Sequence, residues 1–355
     1  MTRRVIVDLA SCFRGPAATL RRRWADVSGL APLHRRIREN PWFEVLPTEA
    51  QVRADAAGLA SKTKGRPVVV GQPGVVAAAR VWVEALSLDL GLVHPSAELP
   101  PGAACLVAHL GPAGVDELVD RAVERKLRVA VVCAAASGES VEPPPRGVWV
   151  NDAWAGEGTR GAVGAGVLVA LTLAGLDLTA ALAGAQAMLD AASGPIADNP
   201  AWSVARALRL LAAEGGRDVV VHVAGDVRLV AFAEWAARAQ ATLLAGMSPH
   251  APARPLPAVA LVGDEEWGSA IVRAARDRVA VVWESAGSPP ETAWFEALGE
   301  AGVAVIRIRL PALDAESIGG ALALWLRALG CLAAMEERGG EGAPPAPALS
   351  TRVSG

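Results

Sequence analysis

Short apolar runs recur along the chain, and each ends in turn residues. RPVVVGQPG (66–74) is a Val-rich stretch closed by Gly and Pro, the pattern of a buried parallel strand entering a loop. AAARVWVEALSLDLG then follows with helical spacing. ACLVAHLGPAG (104–114) repeats the strand and turn, and VDELVDRAVERK reads as a helix with Glu117, Asp120 and Glu124 outside and Leu118, Val119 and Ala122 inside. LRVAVVCAA (127–135) is the next strand. The pattern returns later as DVVVHVAG, AVALVGDEE, RVAVVWES and VAVIRIRL, with helices between them. Strands alternating with helices imply βαβ units and parallel sheets. The predicted strands lie near 67–71, 104–108 and 128–133, and near 218–223, 257–262, 278–283 and 303–309.

Between these groups, Gly161 to Met188 reads as two buried helices broken near Gly175–Asp177. Asn199 is placed to cap a helix opening at Pro200. Asp314 is placed to cap a final helix whose segment ALALWLRALGCLAAM carries an apolar face. The Arg-rich start (RRRW, HRRIREN) predicts surface helices, and the Gly/Pro-rich tail RGGEGAPPAPALSTRVSG reads as disordered. The expected organisation is therefore a helical segment at 1–44, α/β domains at 45–195 and 196–337, and a tail at 338–355.

Composition narrows the function classes. About half the 355 residues are apolar and a fifth are charged, which fits a globular protein with a large core. The net charge of −3 supplies no basic field for nucleic acid. The apolar run before Asp8 is too short for a signal peptide, and the uncharged stretch 161–176 is shorter than the roughly 20 residues of a membrane span. No membrane or nucleic-acid partner is expected. Cys12, Cys105, Cys133 and Cys331 are scattered, with no CxxC or Cys/His pairing, and read as buried free thiols in a reducing cytoplasm. No HExxH, GxSxG, GxxxxGK[ST] or GxGxxG pattern occurs, so neither a metal site nor a cofactor is expected.

Three segments together resemble the glucose-6-phosphate isomerase family, whose core is a pair of sugar-isomerase (SIS) domains. GTRGAVGAGVLVALTLAGLDLTAALAGAQAM (158–188) resembles the family's GGRYSxxSxxGLLPxALAGIDxxxLLxGAxxM. NPAW (199–202) resembles the NPA that opens the next helix. DVVVHVAGDVRLVAFAEWAARAQATLLAG (218–246), with Phe232, Trp235 and Ala241, resembles the strand, loop and helix reading FxxWxxQLxAESLGK. The resemblance spans about 45–335 and implies two SIS-like parallel-sheet units with helices on both faces. It also implies a homodimer, because family active sites borrow a His from the partner subunit, and a sugar phosphate or sugar derivative as ligand.

The chemistry implied by the resemblance can be checked residue by residue. A sugar phosphate needs backbone N–H groups at a helix N-terminus and nearby hydroxyls. The family loop GIGGS reads Gly71, Gln72, Pro73, Gly74, Val75 here, so a proline removes a donor and Val75 replaces a hydroxyl. The family loop SKSGTTxE becomes Ala108 to Val115, in which Gly111 survives without hydroxyls. Isomerisation needs a base, a cation and a ring-opening acid/base group. Arg160 aligns with the family Arg; a surface or helix-capping arginine is the other reading of it. The position of the family base is Thr242, whose hydroxyl is too weak a base. The ring-opening His position is Glu266, beside Asp264 and Glu265 at the end of a strand, where carboxylates also suit a helix N-terminus. The C-terminal Lys motif has no counterpart. The candidate catalytic set is therefore Arg160, Glu266 and Thr242, and the candidate ligand-binding set is Gly71, Gly74, Gly111 and Asp264. Reduced or lost isomerase activity is expected; the alternative is a non-catalytic relative that binds a sugar derivative or acts as a partner of other carbohydrate enzymes. His222 reads as a strand histidine, and His109 as a residue of the loop after its strand.

Overall fold

The alternating runs close two separate five-stranded sheets in the computed structural model, which describes residues 4–13, 17–26, 46–60, 65–95, 97–109, 115–133, 148–152, 158–217, 219–245, 254–261, 277–287 and 292–336. The chain forms two compact units. Of the described residues, 46–83 and 87–179 build the first; those of the N-terminal segment, 84–86 and 180–336 build the second. Two elements near the N-terminus, β1 (Ile6–Asp8) and α1 (Leu20–Ala25), belong to the second unit.

The first unit contains α2 (Glu49–Leu59), β2 (Arg66–Val70), α3 (Pro73–Leu86), β3 (Gly91–Val93) and β4 (Ala103–His109). It continues through α4 (Val115–Glu124), β5 (Arg128–Cys133), β6 (Val148–Asn151), a 3₁₀ turn at Gly158–Val163 and α5 (Ala165–Leu173). The strands are all parallel, in the order β3-β2-β4-β5-β6. Alternate residues Val68, Val70, Leu106, Ala108, Val129 and Val131 pack on one face against Leu118 and Ala122 of α4. Every residue of α5 from Ala165 to Leu171 is buried, which is why its sequence shows no polar face. Gly175, at φ +95°, adopts the left-handed conformation that ends this helix where the sequence predicted the break.

The second unit continues with α6 (Leu178–Ser193), α7 (Pro200–Ala213), β7 (Val219–Ala224), α8 (Val230–Ala245) and β8 (Arg254–Leu261). β9 (Arg278–Ser285), α9 (Thr292–Glu300), β10 (Ala304–Leu310) and α10 (Ala315–Glu336) complete it. The sheet order is β1-β10-β9-β7-β8. The four strands read from the sequence are parallel to one another, and β1 adds an antiparallel edge with Ile6 opposite Arg309. The N-terminal segment thus supplies a strand as well as a helix; three residues in IVD are too few to register as a periodic pattern.

Both anticipated caps form. The Trp202 N–H donates to Asn199 Oδ1 at 2.8 Å, and the Ser317 N–H to Asp314 Oδ1 at 2.8 Å. Helix α10 contains a stretch long and apolar enough to cross a membrane by composition, but 89% of that stretch is buried inside the fold. Cys12, Cys105 and Cys331 are buried free thiols, and burial pushes Cys105 up to about 11 and Cys331 up to about 12. The side chain of Cys133 and the tail from 337 lie outside the described residues.

Candidate functional site

Parallel α/β sheets place chemistry at the carboxyl ends of their strands, where the chain order reverses. In the first sheet that point lies between β2 and β4. Gly71 follows β2 and is buried. A Cβ there would stand 2.9 Å from the Cβ of His109, so only glycine fits. His109 is the last residue of β4, not a loop residue as the turn signal suggested: its pairing with Val132 extends the ladder by one position. It is 3% exposed, and among the described residues neither ring nitrogen has a hydrogen-bond partner. Burial lowers its pKa to about 4, so the imidazole is neutral at pH 7.

The His109 ring covers the first turn of α5. A Cβ on Gly166 would stand 2.6 Å from its Cε1 and 2.9 Å from its Nε2. That turn also carries a buried carboxylate. Asp152 follows β6 and accepts the Gly166 N–H at 2.8 Å through Oδ2. Asp152 therefore sits where an external anion would sit on this helix N-terminus.

The helix N-termini of α3 and α4 also lie at this edge, and α4 carries Asp116 and Glu117 in its first turn. Pro73 has no N–H. The Val75 and Val76 amides both turn back on the Gln72 carbonyl, at 2.9 and 3.1 Å. Gly71 and Gly74 both lie at this strand–helix junction, and Val75 is buried in it without a hydroxyl. Arg160 lies in the 3₁₀ turn before α5. Its side chain, like Gly111, lies outside the described residues.

The second sheet repeats the plan with different chemistry. Strand order β8-β7-β9-β10 matches β3-β2-β4-β5, and Gly225 follows β7 as Gly71 follows β2. A Cβ on Gly225 would stand 3.0 Å from the Cβ of Glu284, near the end of β9. Glu284 is buried and held by Arg307 Nη2 at 2.9 Å and Arg309 Nε at 3.0 Å, both from β10. Its charge is thus committed to structure. Asp226 caps the short turn at Val227–Leu229 and bonds the Arg228 side chain at 2.8 Å, which holds its carboxyl below the usual range.

His222 is a core residue. Trp283 Nε1–H donates to its Nδ1 at 3.1 Å, and its Nε2 lies 3.0 Å from Gln240 Oε1. Because Trp283 is donor-only, Nδ1 accepts and Nε2 carries the proton. The ring stacks on Trp283 and meets Trp325 edge-on. Burial lowers its pKa to about 4.

Thr242 lies on the exposed face near the end of α8, in a different unit from Arg160. Asp264, Glu265 and Glu266 lie outside the described residues. Among the described residues, no group of three His, Cys, Asp or Glu converges as a metal site. Sequence reasoning passed over Asp152 and Glu284. The available signal was a carboxylate at the end of an apolar strand, in VWVND and RVAVVWES.

Comparison with solved structures identifies the architecture. A hypothetical protein of Thermus thermophilus superposes with a TM-score of 0.65 at 18% identity, covering 94% of both chains. A glucose-6-phosphate isomerase from Chlamydia trachomatis superposes at 0.58 and 12% identity, over 86% of this chain and 70% of that one. A protein of Silicibacter pomeroyi, provisionally named a phosphosugar isomerase, superposes at 0.54 and 15% identity, over 86% and 98%. No protein-family model and no curated protein matches the sequence. At these identities the likeness speaks for architecture alone: two parallel-dominated sheets flanked by helices, in the fold of the SIS-domain proteins.

Proposed function

We propose that this chain is a glucose-6-phosphate isomerase-like, sugar-derivative-binding protein whose aldose–ketose isomerase activity is reduced or lost. The observation that carries this reading is Thr242. It occupies the position of the family's proton-transfer base by sequence resemblance, and it lies on an exposed face near the end of α8. A threonine hydroxyl does not abstract a carbon-bound proton near neutral pH, and a general base typically contributes about 10²–10⁴-fold. The edge of the first sheet supports the same reading, since Pro73, Val75 and Asp152 occupy places where a phosphate would need donors.

The test is a coupled isomerase assay on purified protein with glucose 6-phosphate and fructose 6-phosphate. Turnover far below the common enzyme range of about 1–10³ per second is the expected result. Turnover within that range overturns the proposal. The second reading is a divergent isomerase with rebuilt loops, which Arg160, retained in Gly-Thr-Arg, favours. By resemblance the working state is a homodimer, which light scattering at micromolar concentration reads directly.

A further inference from the structure

We propose that the N-terminal segment, residues 4–13 and 17–26, is a releasable strap: it lifts from the second unit as one piece, well before that unit unfolds, and so gates access to Cys12 and to the edge of β10.

A modest set of contacts closes the strap. Val5, Cys12, Phe13, Ala17 and Leu20 are buried. Trp24 Nε1–H donates to the Ser203 carbonyl at 3.3 Å, and Arg206 Nη2 of α7 donates to the carbonyls of Arg23 and Asp26 at the end of α1. Neither strap element can stand alone. β1 pairs through three residues, with Ile6 53% exposed. α1 has six residues and no side-chain N-cap, where an isolated helix needs about 12–15 residues to be even marginal. Once the docking contacts go, both elements lose their order together, as one cooperative unit of low stability. Release also leaves β10 with unpaired backbone groups along an open edge.

A buried charge opposes closure. Arg217, between α7 and β7, is 3% exposed, and among the described residues its enclosed Nη1 has no hydrogen-bond partner. The titratable group that acts on it is the Cys12 thiol, a strap residue. Burial pushes that thiol above its ordinary range, and Arg217 draws it back only in part, so it stays protonated and supplies no counter-charge. An enclosed guanidinium without an anion is strongly unfavourable, and lifting the strap returns it to water. Arg206 Nη1 is likewise buried without a partner at the same seam, among the described residues. Cys331 gives the contrast. It is as deeply buried in the same unit, but it sits on the 22-residue helix α10, which cannot leave without unfolding that unit.

The experiment is pulsed alkylation of the full chain with N-ethylmaleimide at neutral pH without denaturant, read peptide by peptide by mass spectrometry. Hydrogen exchange is followed on the same samples. Global unfolding exposes Cys12 and Cys331 alike, whereas strap release exposes Cys12 alone. Cys12 should therefore react about tenfold or more faster than Cys331. The hydrogen-bonded amides of β1 and α1 should share one level of protection, about tenfold or more below that of β7 and β9. Arg217→Met replaces the unpaired charge by an apolar chain, and should slow both Cys12 alkylation and strap exchange about fivefold or more. A change in thiol acidity alone would slow the first and leave the second unmoved. If Arg217→Met fails to fold, the wild-type rates still decide. Equal alkylation of Cys12 and Cys331, strap amides as protected as β7 and β9 or protected at two unrelated levels, or a strap that exchanges as fast in Arg217→Met as in the wild type overturns the inference.

Discussion

Acidification should destabilise this protein well above the pH at which its carboxylates titrate. His109 and His222 are both fully buried and neutral, with pKa values lowered by burial to about 4 from an ordinary 6.5. The unfolded chain binds a proton at each as pH falls below 6.5, while the folded chain resists until about pH 4. Stability is therefore fully present above pH 6.5 and is lost progressively down to about pH 4, with a limiting slope of about 1.4 kcal/mol per pH unit per histidine. Between pH 7.5 and 5 the loss is about 2 kcal/mol for each, or about 4 kcal/mol together, a large share of a typical total of about 5–15. The carboxyls of Asp226 and Glu49 are also lowered, from 3.8 and 4.5, and so respond mainly below this window. The packing around His222 supplies no compensating charge: Gln240, Trp283 and Trp325 are its partners. Urea unfolding at intervals from pH 7.5 to 5 measures the effect. The two histidines belong to different units, so if the units unfold in separate transitions, each transition carries one share. His109→Phe should remove about half of the total pH dependence. Stability constant within about 1 kcal/mol across this range, or a pH dependence unaltered in His109→Phe, would refute the reasoning.

Three further outcomes follow from particular contacts. Gly184→Ala puts a Cβ 1.8 Å from the Glu316 carbonyl oxygen where α6 crosses α10; overpacking of about 1–3 kcal/mol should outweigh the roughly 1 kcal/mol gained in helix propensity, and an unchanged or higher melting temperature contradicts this. Asn199→Ala removes the cap on Trp202 and the side-chain bond to the Ala192 carbonyl, both buried, and should lower stability by about 1–2 kcal/mol in urea unfolding. On the proposed reading, Thr242→Glu puts a carboxylate, at an exposed position, where the isomerase family has its base by resemblance. It should change stability by no more than about 0.5 kcal/mol and bring no measurable isomerase turnover, because on that reading the ring-opening histidine and the loop hydroxyls are still lacking.

The seven principal strands were legible because buried parallel strands are continuous Val-rich runs, which no surface element imitates. The Gly175 break and the caps at Asn199 and Asp314 were legible because each is a local decision between a few neighbouring residues. The short strands β1, β3 and β6 were not. Ile6–Asp8 and Gly91–Val93 are three residues each, and tertiary pairing, not periodicity, makes them strands. The site was read only in part. Gly71 and Gly74 stood out because backbone turns leave a mark in sequence. Asp152 did not, because its role depends on β6 and α5 meeting in space, and nothing in VWVND encodes that meeting. The difference between His109 and His222 was equally hidden: both interrupt apolar strands, and only the partners supplied by α8 and β9 separate them.

The antiparallel strand β1 has a consequence for how the protein is made. Ile6 pairs with Arg309, so the start of the chain waits for a partner about 300 residues further on. At synthesis rates of about 5–20 residues per second, that delay is roughly 15–60 s. Through this interval the β1 segment has no sheet to join, and the rest of its sheet is also incomplete. Closing that edge is among the last steps available to the nascent chain. A bulky fusion at the N-terminus would therefore act on the completion of the second unit more than on the first, whose five strands all lie within residues 66–151.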